Sequence, residues 1–427
     1  MKIAIQTLGC KVNQAESSAI EGLLRKNNFK VVKLDGSPDV CIINTCTVTA
    51  KSDYQSRQLI RRAVKSGARV IATGCYTQLK PDDLKKIDGL SLMIGNAEKT
   101  NIIEHIRKLS TKNSGTSTII CPPDSPLMYQ PYYSTRSRAF LKIQDGCNFS
   151  CTYCTVPLAR GRSRSLALDD VMLSVEKLFE SGYREIVLTG IHIGSYGIDV
   201  HPRISLVNIV KKIVSSFPDL RIRLSSIEPQ EFDEDVLSLM KDGNVCCHLH
   251  IPLQSGSDKI LQLMNRGYST HQYAQLINRI LTAYPDIAIG TDIIAGFPGE
   301  TYEDFHDTVN FVNDLPLTYF HIFPYSKRPN TKAGMYTDHV DEEMKKVRVK
   351  RLIDISDRKK NSYMKKNIDK YLDVIVEKQS EMTGFYKTLS DNYLKIDVKS
   401  DSLTPGQRLQ VRIISMTGDK LRGEPID

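Results

Sequence analysis

The sequence predicts an α/β chain in three parts: an N-terminal doubly wound parallel-sheet domain, a central partial (β/α)6 barrel and a small C-terminal β-barrel. Three observations carry that expectation. Short apolar runs alternate with helical segments over residues 1–110. Six more strand-like runs, each followed by a helical segment, fill the middle of the chain. After residue 365 the pattern changes to β-rich runs broken by turn residues. The expected boundaries are therefore 1–110, a linker at 111–134, 135–364 and 365–427.

In the first domain, strands are expected at 3–8, 31–34, 40–44, 70–73 and 92–94, with helices at 14–26 and 53–65. Three cysteines follow strands directly: Cys10 after the first, Cys46 after the third and Cys75 after the fourth. Parallel strands send their carboxyl ends to one edge of the sheet, so these thiols should meet there despite their separation in sequence. Gly9 and Gly74 precede two of them and would let backbone approach a bulky ligand. Cys41 opens a strand and should pack with the sheet core. Cys246 and Cys247 are neighbours on a strand and cannot both face one ligand. Cys121 lies in the Ser-, Asn- and Pro-rich linker and has no assigned role.

The central strands are expected at 139–143, 185–188, 221–224, 248–252, 288–294 and 319–323. Six βα units instead of eight imply an open barrel. Behind the first strand stand Cys147, Cys151 and Cys154, too closely spaced to converge as extended chain, so this segment should be a loop wrapped around something small. A structural zinc knuckle would need a fourth ligand, and the next Cys or His in the chain is His192. A four-iron cluster on three thiolates would instead leave one iron open to chelate a ligand. The other strand ends carry Thr189-Gly190 with His192, Ser225 to Glu228, Gln254-Ser-Gly256 and Tyr325-Ser326. Polar groups converging on one rim suit a nucleoside-sized ligand. His192 itself reads as a catalytic residue or as a hydrogen-bonded structural one.

The whole chain has 427 residues, 41% of them hydrophobic and 25% charged, which is enough apolar material for two or three cores. Its net charge is +9, from 58 Lys plus Arg against 49 Asp plus Glu, and permits a polyanionic partner. Around the three-cysteine loop, Arg136, Arg138, Lys142, Arg160, Arg162 and Arg164 face only Asp145 in sequence, and the forks of Arg160, Arg162 and Arg164 suit phosphates. The alternative is a solvated basic face. The chain starts straight into a strand pattern without a leader-like apolar stretch, and no segment approaches the roughly 18 apolar residues of a membrane span. Ten cysteines without an export signal point to metal or redox chemistry in a reducing compartment, the cytoplasm. The helix expected at Glu342–Lys366 reads as an amphipathic packing helix with a basic outer face. In the last domain, runs at 372–376, 393–398 and 409–414 suggest a five-stranded barrel. There Phe385, Tyr386 and Tyr393 are either core residues or platforms for unpaired bases.

The spacing CxxxCxxC with Tyr153 before the last cysteine resembles the signature of the radical S-adenosylmethionine (SAM) enzymes. Taken with Thr7-Leu-Gly-Cys-Lys-Val-Asn-Gln-Ala-Glu16, Asn44-Thr-Cys-Thr-Val-Thr49 and Thr73-Gly-Cys75, the chain resembles the radical-SAM methylthiotransferases. The first of these segments is most similar to the branch that modifies N6-threonylcarbamoyladenosine (t6A) beside the tRNA anticodon. The resemblance implies two [4Fe-4S] clusters, one on Cys147, Cys151 and Cys154 and an auxiliary one on Cys10, Cys46 and Cys75. It also implies SAM held by Tyr153, Thr189, Gly190, Ser226, Glu228 and Gln254, and a last domain similar to the RNA-binding TRAM module. The implied activity is addition of a methylthio group to C2 of t6A, with the tRNA anticodon loop and a reductase or flavodoxin-type electron donor as partners. Isopentenyladenosine or a ribosomal protein as the substrate, or a non-catalytic iron-sulfur RNA-binding sensor, are the competing readings. The chain has Thr189-Gly-Ile191 where many radical-SAM proteins have Gly-Gly-Glu, and Asn330 where a glycine is expected.

Overall fold

The chain is described here by a computed structural model over residues 1–111, 116–123, 137–241 and 243–426. Residues 2–119 form one all-parallel sheet from the strands Lys2–Thr7, Lys30–Val32, Val40–Thr45, Arg69–Gly74, Leu90–Ile94 and Ser117–Ile119. Their spatial order is second, first, third, fourth, fifth, sixth, so the order reverses between the first and third strands. Alternation along Val40–Thr45 explains the two layers. Cys41 and Ile43 meet Ile60 and Ala63 of the helix Ala50–Lys65 on one face. Val40 and Ile42 meet Ile20 and Leu24 of helix α1 (Lys11–Lys26) on the other. Cys41 is a core residue, as its position implied.

Two details differ from the sequence reading. Helix α1 begins at Lys11, three residues early, directly behind Cys10. Ser117–Ile119, expected within the linker, adds a strand to the sheet edge; it is exposed on both faces and so needs no apolar alternation. Arg136 and most of the expected linker lie outside the described residues.

The six central strands are Ala139–Lys142, Glu185–Thr189, Arg221–Leu224, His248–His250, Ala288–Ala295 and Tyr319–Pro324, all paired in parallel. The third and fourth are joined through an Ile222–Val245 bridge, where Cys246 N–H donates to Ile222 O at 2.8 Å. The result is an open barrel in sequence order, packed outside by helices around a large apolar core. The fourth strand stops at His250, short of the expected 252. Helix α1 leans on this barrel, with Ala15 against Phe140 and Val187.

Tyr371–Gln379, Phe385–Ser390, Lys395–Lys399, Lys420–Pro425 and Arg408–Thr417 close in that order into a five-stranded barrel. It docks through two fully buried arginines of the third central strand. Arg221 and Arg223 both donate to Glu185, and they also reach the carbonyls of Asp373, Ser390 and Asp391. The helix Glu342–Lys366 links the two barrels and buries Leu352 and Ile355 in the central core. Among the described residues no helix is long and apolar enough to cross a membrane.

Candidate active site

Cys10 and Cys46 follow the first and third strands of the N-terminal sheet, flanking the point where its strand order reverses, which is the ligand crevice of doubly wound sheets. Cys75 opens the next short helix, Cys75–Leu79. The approach of these segments depends on glycine. Gly9 has φ +98°, and a Cβ there would stand 2.8 Å from Cys46 Sγ. Gly74 has φ +99°, and a Cβ there would stand 2.3 Å from Thr45 O. Burial raises the Cys10 and Cys46 thiols, and the neighbouring Cys75 sulfur adds to the rise of both.

The second set sits in the loop behind the first barrel strand. Phe149 N–H donates to Cys147 Sγ at 3.4 Å, Val156 N–H to Cys154 Sγ at 3.4 Å, and Arg266 Nη1 to Cys151 Sγ at 3.3 Å. Each sulfur is thus placed as an acceptor, the role of a thiolate ligand. Burial pushes the Cys154 thiol up to about 12 and the Cys46 thiol up to about 11. Such thiols keep their protons at neutral pH unless a metal replaces them. Free thiols, inward N–H donors and glycine cradles make both sets competent to hold a cluster.

The two sets share one rim. Helix Cys75–Leu79 packs on Val156–Arg160, the turn just behind Cys154. Arg160 is 1% exposed and lies between the domains, donating to Glu16 at 2.8 Å, Asp145 at 2.9 Å and Asn13 at 2.7 Å. Lys142 bonds Glu16 and Asp145 at 3.0 Å each, and Lys99 bonds Glu16 at 2.5 Å. Burial alone would raise the Asp145 carboxyl, but Arg160 and Lys142 hold it down at about 2. Asn13 in turn donates to Leu8 O and Thr45 O, at the strand ends that carry Cys10 and Cys46. On the far side of the rim, Arg328 donates to Asp53 at 2.6 Å and Thr47 at 2.7 Å. The loop carrying Arg328 keeps its tight turn with Asn330 at φ +63°, a conformation asparagine tolerates, in place of the expected glycine.

Arg160 is therefore not a phosphate contact: its fork is enclosed and already matched to carboxylates. The sequence could not tell this arginine from its neighbours because both carboxylate partners are supplied by tertiary contact, Glu16 from another domain. Arg164 is mostly buried and donates to Pro123 O at 2.5 Å, whereas Arg162 is exposed and lines a cleft of about 500 Å3 beside Cys147 and Phe149.

The residues expected to touch SAM surround the same rim unequally. Tyr153 and Gln254, with Ile294, Phe323 and Tyr325, line a largely apolar cavity of about 230 Å3 that Val48 and Thr49, just behind Cys46, close from the N-terminal domain. Gln254 has φ +70°, and its backbone bonds Asp292 O and Ile294 N. The hydroxyls of Thr189 and Ser225 are buried with no hydrogen-bond partner among the described residues, as polar atoms waiting for a ligand would be. Gly190 packs so closely on Gln144 that a Cβ would lie 2.7 Å from its Oε1. Ser226 Oγ bonds His250 Nδ1 at 2.7 Å. Glu228 is engaged by Arg266, and so reaches the cluster loop through the arginine that donates to Cys151. The His192 ring lies tilted against Phe149 of that loop, 4.6 Å between centroids, and its Nε2 lies 2.6 Å from Glu231. Burial would lower its pKa, but Cys147 and Glu231 raise it to about 9.

Tyr393 belongs to neither alternative the sequence offered. At φ +68° it leaves the C-terminal barrel and stacks in the open barrel on His248, 4.3 Å between centroids. Phe385 and Tyr386 are half-buried, and Tyr386 packs partly on the small barrel's core. Cys121 donates to Glu98 at 3.4 Å. Asn13, Glu16 and Lys99 went unrecognised in sequence; the signal for the first two is a pair of polar residues on the helix face that must meet the barrel.

Comparison with known proteins adds to this geometry. Residues 141–312 match the Radical SAM superfamily, and residues 2–95 match Uncharacterized protein family UPF0004. The chain is 36% identical over 422 residues to threonylcarbamoyladenosine tRNA methylthiotransferase MtaB of Bacillus subtilis (strain 168), covering 96% of this chain and 93% of that one. It is 36% identical over 407 residues to the protein of the same name from Aquifex aeolicus (strain VF5), covering 94% and 97%. It is also 31% identical over 435 residues to tRNA-2-methylthio-N(6)-dimethylallyladenosine synthase of Clostridium botulinum (strain Langeland / NCTC 10281 / Type F), covering 99% and 96%. Among solved structures, the radical S-adenosylmethionine methyltransferase TsrM from Kitasatospora setae has the same fold over 78% of this chain and 77% of its own, with a TM-score of 0.59 at 17% identity.

Proposed function

This chain belongs to the radical-SAM tRNA methylthiotransferase family, and from that premise we propose that it adds a methylthio group to C2 of N6-threonylcarbamoyladenosine next to the anticodon. It is a transferase that works with SAM and [4Fe-4S] clusters. The observation that carries the reading is the pairing of two three-thiol sites across one rim. Cys147, Cys151 and Cys154 would hold the cluster that meets SAM, and Cys10, Cys46 and Cys75 the auxiliary one. When bound, these groups would supply the electron and the radical and would hold or furnish the sulfur, chemistry that acid-base side chains cannot provide, since the target is an unactivated C–H bond.

The chain's own residues do the positioning. Arg266 and the loop N–H groups orient the sulfurs of the first set. Tyr153, Ile294 and Phe323 offer an apolar slot sized for a nucleobase, with Gln254 at its edge. The buried Thr189 and Ser225 hydroxyls await the polar groups of SAM. The Asn13–Glu16–Arg160 bonds fix α1, and with it Cys10, against the loop that carries the first set. The anticodon loop would cross the rim at Arg162, with Arg164 behind it.

The test is mass spectrometry of tRNA nucleosides from cells with and without the gene. Loss of 2-methylthio-t6A on deletion and its return on complementation is the expected result. Loss of the 2-methylthio form of isopentenyladenosine instead would move the substrate to that of the Clostridium relative.

A further inference from the structure

We propose that the open barrel contains an anion subsite, made by Lys11 with His321 and His250 on its wall, that takes the carboxylate of the threonylcarbamoyl group. This rests on the substrate reading above and names the group that would select it.

Lys11 directly follows Cys10 and opens α1. Two other lysines, Lys99 and Lys142, are matched to Glu16. Lys11 has no hydrogen bond or ion pair among the described residues; its ammonium instead lies 5.9 Å from the centre of the Tyr393 ring. Arg223 lies 5.3 Å from the centre of the same ring, so two cations face it, and an ammonium without a carboxylate partner there is stabilised by an anion that arrives with a ligand.

The wall around it is aromatic and fixed. Tyr393 stacks on His248 and, 5.7 Å away, on Tyr319. His321 lies 5.3 Å from Tyr319 and 5.2 Å from His250. One carboxylate oxygen, Asp292 Oδ1, meets His250 Nε2 at 3.1 Å and His321 Nδ1 at 3.2 Å. His250 Nδ1 is held by Ser226, whereas His321 is half exposed and its Nε2 has no hydrogen-bond partner among the described residues.

The chemistry of the candidate anions separates them. A phosphodiester carries a ribose on each side, whereas the threonyl carboxylate ends a substituent and can approach a cation among rings end-on. The SAM carboxylate is expected on the open iron of the first cluster. An isopentenyl group has no charge to offer. Lys11 would therefore distinguish the substrates named for the two kinds of relative.

The experiment measures binding of fluorescent anticodon stem-loops to the cluster-loaded protein without SAM. The loops carry t6A, its methyl ester or isopentenyladenosine, and iron content is checked for every variant. Wild type should prefer the acid to the ester by about tenfold, the scale of one hydrogen bond to a charged group. Lys11→Met should bring that ratio close to one, and Lys11→Arg should restore most of it. An acid-to-ester ratio of one in wild type, or an unchanged ratio in Lys11→Met, overturns the subsite. So does an equal loss of all three loops, which marks a backbone phosphate contact, or a loss of SAM affinity, which marks the cofactor's carboxylate. If deletion of the gene removes 2-methylthio-t6A while the ratio is one, the subsite fails and the reaction stands.

Discussion

The two three-cysteine sites solve the same problem from opposite ends. Cys147, Cys151 and Cys154 sit in one loop, where local spacing brings the sulfurs together and nearby N–H groups orient them. Cys10, Cys46 and Cys75 come from three crossovers of a parallel sheet and meet only because the strands share a direction and glycines let the segments touch. The first site is written in a short run of sequence; the second is written in the topology of the domain. The loop site should therefore depend on its own residues, and the sheet-edge site on everything that holds the sheet against the barrel.

The sharpest way to break that comparison is to remove one sulfur from each. Cys151→Ala should halve the iron, from about eight to about four per chain, and abolish reductive cleavage of SAM. Cys46→Ala should also halve the iron but leave SAM cleavage in place while abolishing methylthio product. Iron and sulfide assays, with chromatography for 5′-deoxyadenosine, read both. Loss of SAM cleavage in Cys46→Ala would show that the two sites do not hold their groups independently.

A smaller but still large effect should follow from the buried ions that join the domains. Three cations, Lys99, Lys142 and Arg160, bond two anions, Glu16 and Asp145, and a fourth, Arg164, stands 4.0 Å from Asp145. Removing the central one leaves two buried carboxylates to the lysines alone and their bonds from the guanidinium unmade, so Arg160→Met should cost about 3 kcal/mol. It should also lower iron retention at the sheet-edge site more than at the loop site, because Asn13 and Glu16 of α1 lose their anchor. The pH dependence has a definite sign. Asp145 is held at about 2, below its ordinary 3.8, so its contribution is complete above the ordinary value and is lost as pH falls toward 2. Circular dichroism melts of the cluster-free chain should show wild-type stability falling across that window, with a shallower fall in Asp145→Asn.

This difference also sets what the sequence could tell. The main strand and helix order was legible in the first two parts, and three of the five strands in the last, because those elements have their own apolar period, and the loop cysteines were legible because their spacing is local. The thiols at the sheet edge required one added rule, that parallel strands end together. What stayed hidden depends on partners distant in sequence. Arg160 reads as a surface base until Glu16 is brought to it. Arg221 and Arg223 alternate with apolar residues like solvent-facing positions, yet Glu185 and the carbonyls of the last barrel bury them completely. Tyr393 reads as core or as a base platform, and its positive φ sends it into another domain. Ser117–Ile119 was hidden for the reverse reason, since an exposed edge strand needs no apolar pattern at all.

The smallest effect tests the same division at the scale of two residues. Arg160 and Arg162 stand almost side by side in sequence, one enclosed in the domain interface and the other on the cleft beside Cys147. If the rim meets tRNA where Arg162 is exposed, Arg162→Ala should reduce the slope of log K against log salt by about one, with little change in melting temperature. Arg160→Met should do the opposite, lowering the melting temperature while its surviving folded fraction keeps the wild-type slope, because an arginine already matched to carboxylates releases no counterion from RNA. Equal slope changes in the two variants would mean that the interface opens to admit RNA, and that the enclosed and exposed arginines form one surface.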